Sequence, residues 1–172
     1  TTEKNQYLEQ NKQYDPDSSF TFNSNGVIST VVNFIYCWKS KDFSALVHFG
    51  FYATNRAGKE RSTEKTESLN ITLPDQSILS LLADKKFDHA NLLSSVKAIT
   101  LDYVSQAKEG TPEKSVHETI QSWHDADWKD FFNKIAWRFG QEDSSALQSA
   151  LLQRIKTSKI YKNRDITDRE GI

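Results

Sequence analysis

One stretch limits what this chain can become: between Gly26 and Thr54 a helical period gives way to a strand-like run. Val27, Val31, Phe34, Ile35 and Trp38 recur at three- and four-residue spacing, behind a Ser24-Asn25 start whose side chains can cap free backbone N–H groups. This spacing predicts a helix ending near Lys41. Phe43 to Thr54 is then rich in aromatic and β-branched residues and bounded by Lys41-Asp42 and Asn55, as a buried strand would be. Upstream, Asn5 to Tyr14 alternates weakly, with Leu8, Gln10 and Lys12 on one face and Tyr7, Glu9 and Asn11 on the other. A short strand is expected there, stopped by Asp15-Pro16-Asp17, since Pro16 cannot donate to a ladder. Strand, helix, strand is the order of an α/β fold, a small mixed or parallel sheet with a crossover helix.

The rest of the chain reads as helical. Arg56 to Ser68 is polar without an apolar period and is expected to be an exposed loop. Pro74 and Asp75 can open a short helix through Leu82. Asp88 can cap a longer one carrying Leu92, Val96, Ile99, Tyr103 and Ala107 toward Gly110. Thr111-Pro112 starts the next, because Thr caps and Pro is tolerated in a first turn. Asp125 begins another, with Trp128, Phe131, Phe132, Ile135 and Phe139 on one broad apolar face before Gly140. Asp143 begins a last one, and the tail 161–172 is charged and expected to be loose. The division implied is an α/β core over 1–70, a helical layer over 71–160, and the tail.

Composition removes several classes. At 172 residues the chain is one compact domain or a piece of a larger one, and no stretch reaches the roughly 18 apolar residues of a membrane span. Cys37 is the single cysteine, so neither an internal disulfide nor a thiolate metal site can form, and a reducing, cytoplasmic home is expected. A net charge of −1 gives no general pull toward phosphate, so any DNA contact must be local. No glycine-rich phosphate loop exists, which argues against nucleotide hydrolysis. The chain contains no Met, and a fragment whose front end is absent is expected.

The motif that could carry chemistry is Gln10-Asn11-Lys12. In metal-dependent phosphodiester hydrolysis an amide or carboxylate oxygen positions a divalent ion, while a Lys two residues on projects from the same strand face and steadies water or phosphorane charge. Gln106-Ala107-Lys108 repeats the spacing in a helical pattern, and Asp84-Lys85-Lys86 and Asp127-Trp128-Lys129 satisfy its carboxylate form. Spacing alone therefore leaves an ordinary solvated strand face as the alternative. Only Gln10 and Lys12 lie on a predicted strand that leads through a helix to a second buried strand.

The run Tyr7-Leu8-Glu9-Gln10-Asn11-Lys12-Gln13-Tyr14, the helix to Trp38, and the strand closing in Phe51-Tyr52-Ala53-Thr54-Asn55 carry a resemblance, with Trp128-Lys129-Asp130-Phe131-Phe132 and Ile135-Ala136-Trp137. Over most of residues 5–160 the chain resembles the double-stranded-DNA endonuclease effectors of bacterial anti-phage systems. These belong to the restriction-endonuclease-like PD-(D/E)xK superfamily, in its Gln-x-Lys branch. The resemblance implies an endonuclease acting on double-stranded DNA, with Gln10 in the acidic slot near Mg²⁺ and Lys12 as the catalytic lysine. It also implies a sensor or ATPase protein partner, or a homo-oligomer, that releases activity. The family's upstream metal-binding Asp has no counterpart, because no Asp precedes Gln10. The expectation is that the first helix and strands lie upstream, or that the site is degenerate.

Arg56, Lys59 and Arg61 can neutralise phosphates from a loop at a strand end, against a plain solvated loop with nearby glutamates. His117 and His124 fail the His-Glu-x-x-His pattern, His48 reads as a sheet histidine, and Cys37 as an inert buried thiol. Asn70-Ile71-Thr72 fits a glycosylation acceptor, which a cytoplasmic setting leaves unused. The aromatic stripe from Trp123 to Phe139 reads as core first and partner face second. Two further functions stay open: a catalytically silent helical interaction domain docking on a larger defence assembly, and a small-molecule-binding α/β domain.

Overall fold

The computed structural model describes residues 4–12 and 19–140. They belong to a compact unit spanning Thr1–Gln141. The helix expected from Asp143 and the tail 161–172 lie outside the described residues.

Strand β1 is Gln6–Lys12, helix α1 Asn25–Lys39 and strand β2 Val47–Ala53. Helices α2 (Glu64–Ser68), α3 (Ile78–Ala83), α4 (Leu92–Ser105), α5 (Pro112–Ile120) and α6 (Asp125–Asn133) follow, and strand β3 is Ile135–Arg138. The fold is α/β, with a three-stranded sheet in the order β1-β2-β3. Both pairings are parallel, so the described sheet is not mixed.

β2 lies in the middle and alternates as its sequence requires. Val47, Phe49, Phe51 and Ala53 are buried on one face, where Phe49 stacks on Phe34 of α1 at 4.5 Å between ring centres. His48 and Tyr52 are half-buried on the other face, and Tyr52 leans over Gly50 so closely that a Cβ there would meet its Cε2 at 2.6 Å. The core gathers Phe22, Ile28, Ile35, Leu79, Val96, Trp128, Phe131 and Phe132, each sealed from solvent. Each such large side chain contributes roughly 1.5–3 kcal/mol by leaving water.

α1 stops at Lys39, two residues before the expected end. The chain reverses there through Asp42 and Phe43, both at positive φ of 51° and 55°, and Phe43 packs edge-on against Trp38 at 5.1 Å rather than opening the strand. Thr111 caps α5 by accepting from Lys114 N–H at 3.3 Å, with Pro112 in the first turn as expected. Two caps differ from expectation. Ser77, not Pro74 or Asp75, caps α3, and Asn91 precedes α4, which frees Asp88 to pair with Lys129 at 2.8 Å.

Two local expectations are corrected. Ile135 does not continue α6: the helix ends at Asn133, and Ile135–Arg138 pairs with β2 through Phe49↔Ile135 and Phe51↔Trp137. The polar stretch 56–68 is not simply a loop either. Ala57 forms a parallel bridge with Phe20, Glu60 is buried, and Glu64–Ser68 is a helix capped by Thr63.

Candidate functional site

Alternation along β1 sets the first condition for a site. Gln10 pairs with Phe51 and Lys12 with Ala53. Neighbours in a parallel ladder share a face, so both side chains project to the side of the sheet that α1 covers, together with Leu8. Both are half-buried. The two residues therefore point the same way from a strand, the arrangement the motif requires. The Gln10 amide donates to Asn11 O at 3.3 Å, and Lys12 enters no ion pair with a described residue.

Parallel strands end on one edge, and that edge is where open α/β sheets gather ligands. Lys12 closes β1 there, and its carbonyl accepts from Thr54 N–H at 3.4 Å just past β2. The chain then runs through exposed Arg56 to Lys59 and Arg61, so the three loop cations follow directly from the end of β2.

The structure brings Lys59 and Arg61 together, but not with Gln10 and Lys12. A polar hollow of about 790 Å³ is lined by Lys59, Glu60, Arg61, Ser62, Thr63 and Thr66 on one side and Ser19, Thr21 and Asn23 on the other. Arg56 is not among its lining residues. Neighbouring side chains in an extended segment alternate in direction. Glu60 accordingly turns inward, 5% exposed, while Lys59 and Arg61 face solvent.

Glu60 is the residue that sequence reasoning missed. Its Oε1 accepts from Phe22 N–H at 2.6 Å and its Oε2 from Ile78 N–H at 3.1 Å. Burial raises its pKa above the usual glutamate value, and these backbone hydrogen bonds offset part of that rise. A Glu between two cations in a polar run carries no local sign that it will be buried.

A single amide oxygen is a poor set of donors for a metal. Among the described residues no group of three or more His, Cys, Asp or Glu side chains could hold an ion. Mg²⁺ takes near-octahedral oxygen ligation including carboxylates, so Gln10 with its described neighbours does not fit it.

The remaining candidates have structural roles. His48 stacks on Tyr7 at 5.4 Å, on the face away from α1. His117 lies within hydrogen-bonding reach of Gln121 at 3.1 Å, and the His124 N–H is held by Asp127 at 2.7 Å. Cys37 is half-buried against the core. Trp123 packs among Trp38, Trp128 and Phe131, with Trp128 1% and Trp137 8% exposed, so the aromatic stripe is core. No described helix is long and apolar enough to cross a membrane.

The chain matches no protein-family model, no curated protein and no solved structure.

Proposed function

We propose that the chain is the carboxyl-terminal part of a metal-dependent endonuclease domain that cleaves double-stranded DNA, the effector of a bacterial anti-phage system acting in the cytoplasm. The observation that carries this reading is the shared direction of Gln10 and Lys12 from β1, next to a buried central strand reached through a crossover helix. In this reading Lys12 supplies a fixed positive charge that steadies an attacking water or the charge gathering on phosphorus. Arg56, Lys59 and Arg61 neutralise backbone phosphates of the duplex.

The family chemistry uses Mg²⁺ to activate water and polarise the phosphodiester. The described donor set does not hold that ion, so the proposal requires a carboxylate from outside the described residues. A sensor or ATPase partner, or self-assembly, would control activity.

The alternative is a catalytically silent interaction domain; the apolar face it would present around Trp128 or Trp137 is buried, while Gln10 and Lys12 do not line the polar hollow that would favour a nuclease. The test is Lys12→Ala in the full-length protein, assayed for plasmid cleavage with Mg²⁺. Loss of cutting is expected, and retained cutting overturns the assignment.

A further inference from the structure

We infer that the polar hollow between residues 19–23 and 59–66 is a phosphate-binding site that seats the sugar–phosphate backbone of a nucleic acid without reading its bases. The phosphate chemistry rests on the hollow itself. Assigning its source to a duplex rests on the nuclease reading.

Two observations carry it. Lys59 and Arg61 both line the hollow, and neither forms an ion pair with a described residue. An unpaired Lys and Arg side by side are the usual means of neutralising phosphate, Arg as a planar fork and Lys as a point charge. Asn23 lines the same hollow. Second, the remaining described walls are Ser19, Thr21, Ser62, Thr63 and Thr66, of which Thr63 and Thr66 cap α2 and Ser62 donates to Glu67, and none of the described lining residues is aromatic. Base recognition in single strands relies on aromatic stacking. Hydroxyl and cation walls suit the backbone instead.

Two of the described carboxylates nearby are already engaged. Glu60 gives both oxygens to the backbone N–H groups of Phe22 and Ile78, and Glu67 accepts from Ser62 Oγ at 2.8 Å. Glu60 is a positioning residue: by holding Phe22 it sets Thr21 and Asn23 opposite Lys59 and Arg61. Neither Gln10 nor Lys12 lines this hollow, so it binds apart from the cutting pair.

The test measures binding of the full chain to a fluorescent 20-base-pair duplex without metal, across a salt series, with inorganic pyrophosphate as competitor. Lys59→Ala/Arg61→Ala is expected to weaken binding about tenfold, equally for unrelated sequences, and to lower the salt slope by roughly 1.8 for two lost phosphate contacts. The Lys59→Arg/Arg61→Lys exchange is expected to restore most of the affinity. Millimolar pyrophosphate is expected to displace the duplex from the unaltered protein and to shift the amide resonances of Thr21 and Asn23. An unchanged salt slope in the folded double-alanine protein overturns the site. Pyrophosphate shifts at Thr21 and Asn23 without duplex binding overturn the backbone assignment and leave a small phosphate compound as the ligand. Because no readout here depends on cleavage, failure of the nuclease reading leaves these outcomes intact.

Discussion

Glu60 Oε1 accepts the backbone N–H of Phe22 at 2.6 Å, joining two segments 38 residues apart. Its other oxygen accepts from Ile78 at the first turn of α3, so one buried carboxylate ties together the segment before α1, the segment after β2 and a helix start. The polar hollow has its walls at this junction.

Removing that carboxylate should therefore destabilise the fold. Glu60→Ala leaves two buried backbone donors without acceptors, each costing about 1–3 kcal/mol, partly offset by no longer burying a charge. A net loss of about 2–4 kcal/mol is expected in urea unfolding. A loss under 1 kcal/mol would mean that the junction is held otherwise.

The same residue gives a pH signature. Its folded pKa lies above the ordinary 4.5, mainly because burial disfavours the charged form. Below 4.5 it is protonated both folded and unfolded. Between 4.5 and its folded value the folded chain binds the extra proton, so its contribution to stability falls as pH rises through that window. Glu60→Gln lacks this titration. The stability of the natural protein minus that of the variant should decline from pH 4.5 upward and then level off. A difference that rises with pH would contradict the burial described here.

Lys85 holds the end of α6 where the chain enters β3. Its Nζ donates to Phe132 O at 2.7 Å, Asn133 O at 3.3 Å and Ile135 O at 2.8 Å, and desolvation lowers its pKa below the ordinary lysine value. Lys85→Met leaves these carbonyls to water. The expected cost is about 1.5–3 kcal/mol, the range for hydrogen bonds to a charged group. Hydrogen exchange should show β3 amides opening earlier than those of α4, and uniform loss of protection would refute a local role.

Phe51 sits at the middle of the central strand, completely buried, with Phe20, Trp137 and Phe139 around its ring. Phe51→Ala should cost about 3–5 kcal/mol in a melt, the range for an aromatic deletion that leaves a cavity. A markedly smaller loss would show that the surrounding rings collapse into the space.

Lys12→Ala separates chemistry from stability. Lys12 has no described ion-pair partner, so unfolding should shift by no more than about 0.5 kcal/mol. A loss of several kcal/mol would mark Lys12 as structural and remove the meaning of an inactive variant.

Much of this was legible in the residues because the signals are local. The period of Val27 to Trp38, the Thr111-Pro112 start, and the alternation that places Gln10 with Lys12 each depend on spacings within one element. Backbone geometry converts such spacings into faces without help from distant parts of the chain.

Local pattern thus sets the strand–helix–strand core, most of the helices, and the direction shared by the two motif side chains. The tertiary structure alone decided that Ile135–Arg138 leaves a helical pattern for a strand, because the edge of β2 offered backbone partners, with Phe49 N–H donating to Lys134 O at 2.9 Å. It also decided that Glu60 turns inward while Lys59 and Arg61 turn out. Both outcomes come from backbone groups far along the chain that had to be paired once water was excluded, and that requirement leaves no mark on the neighbouring residues.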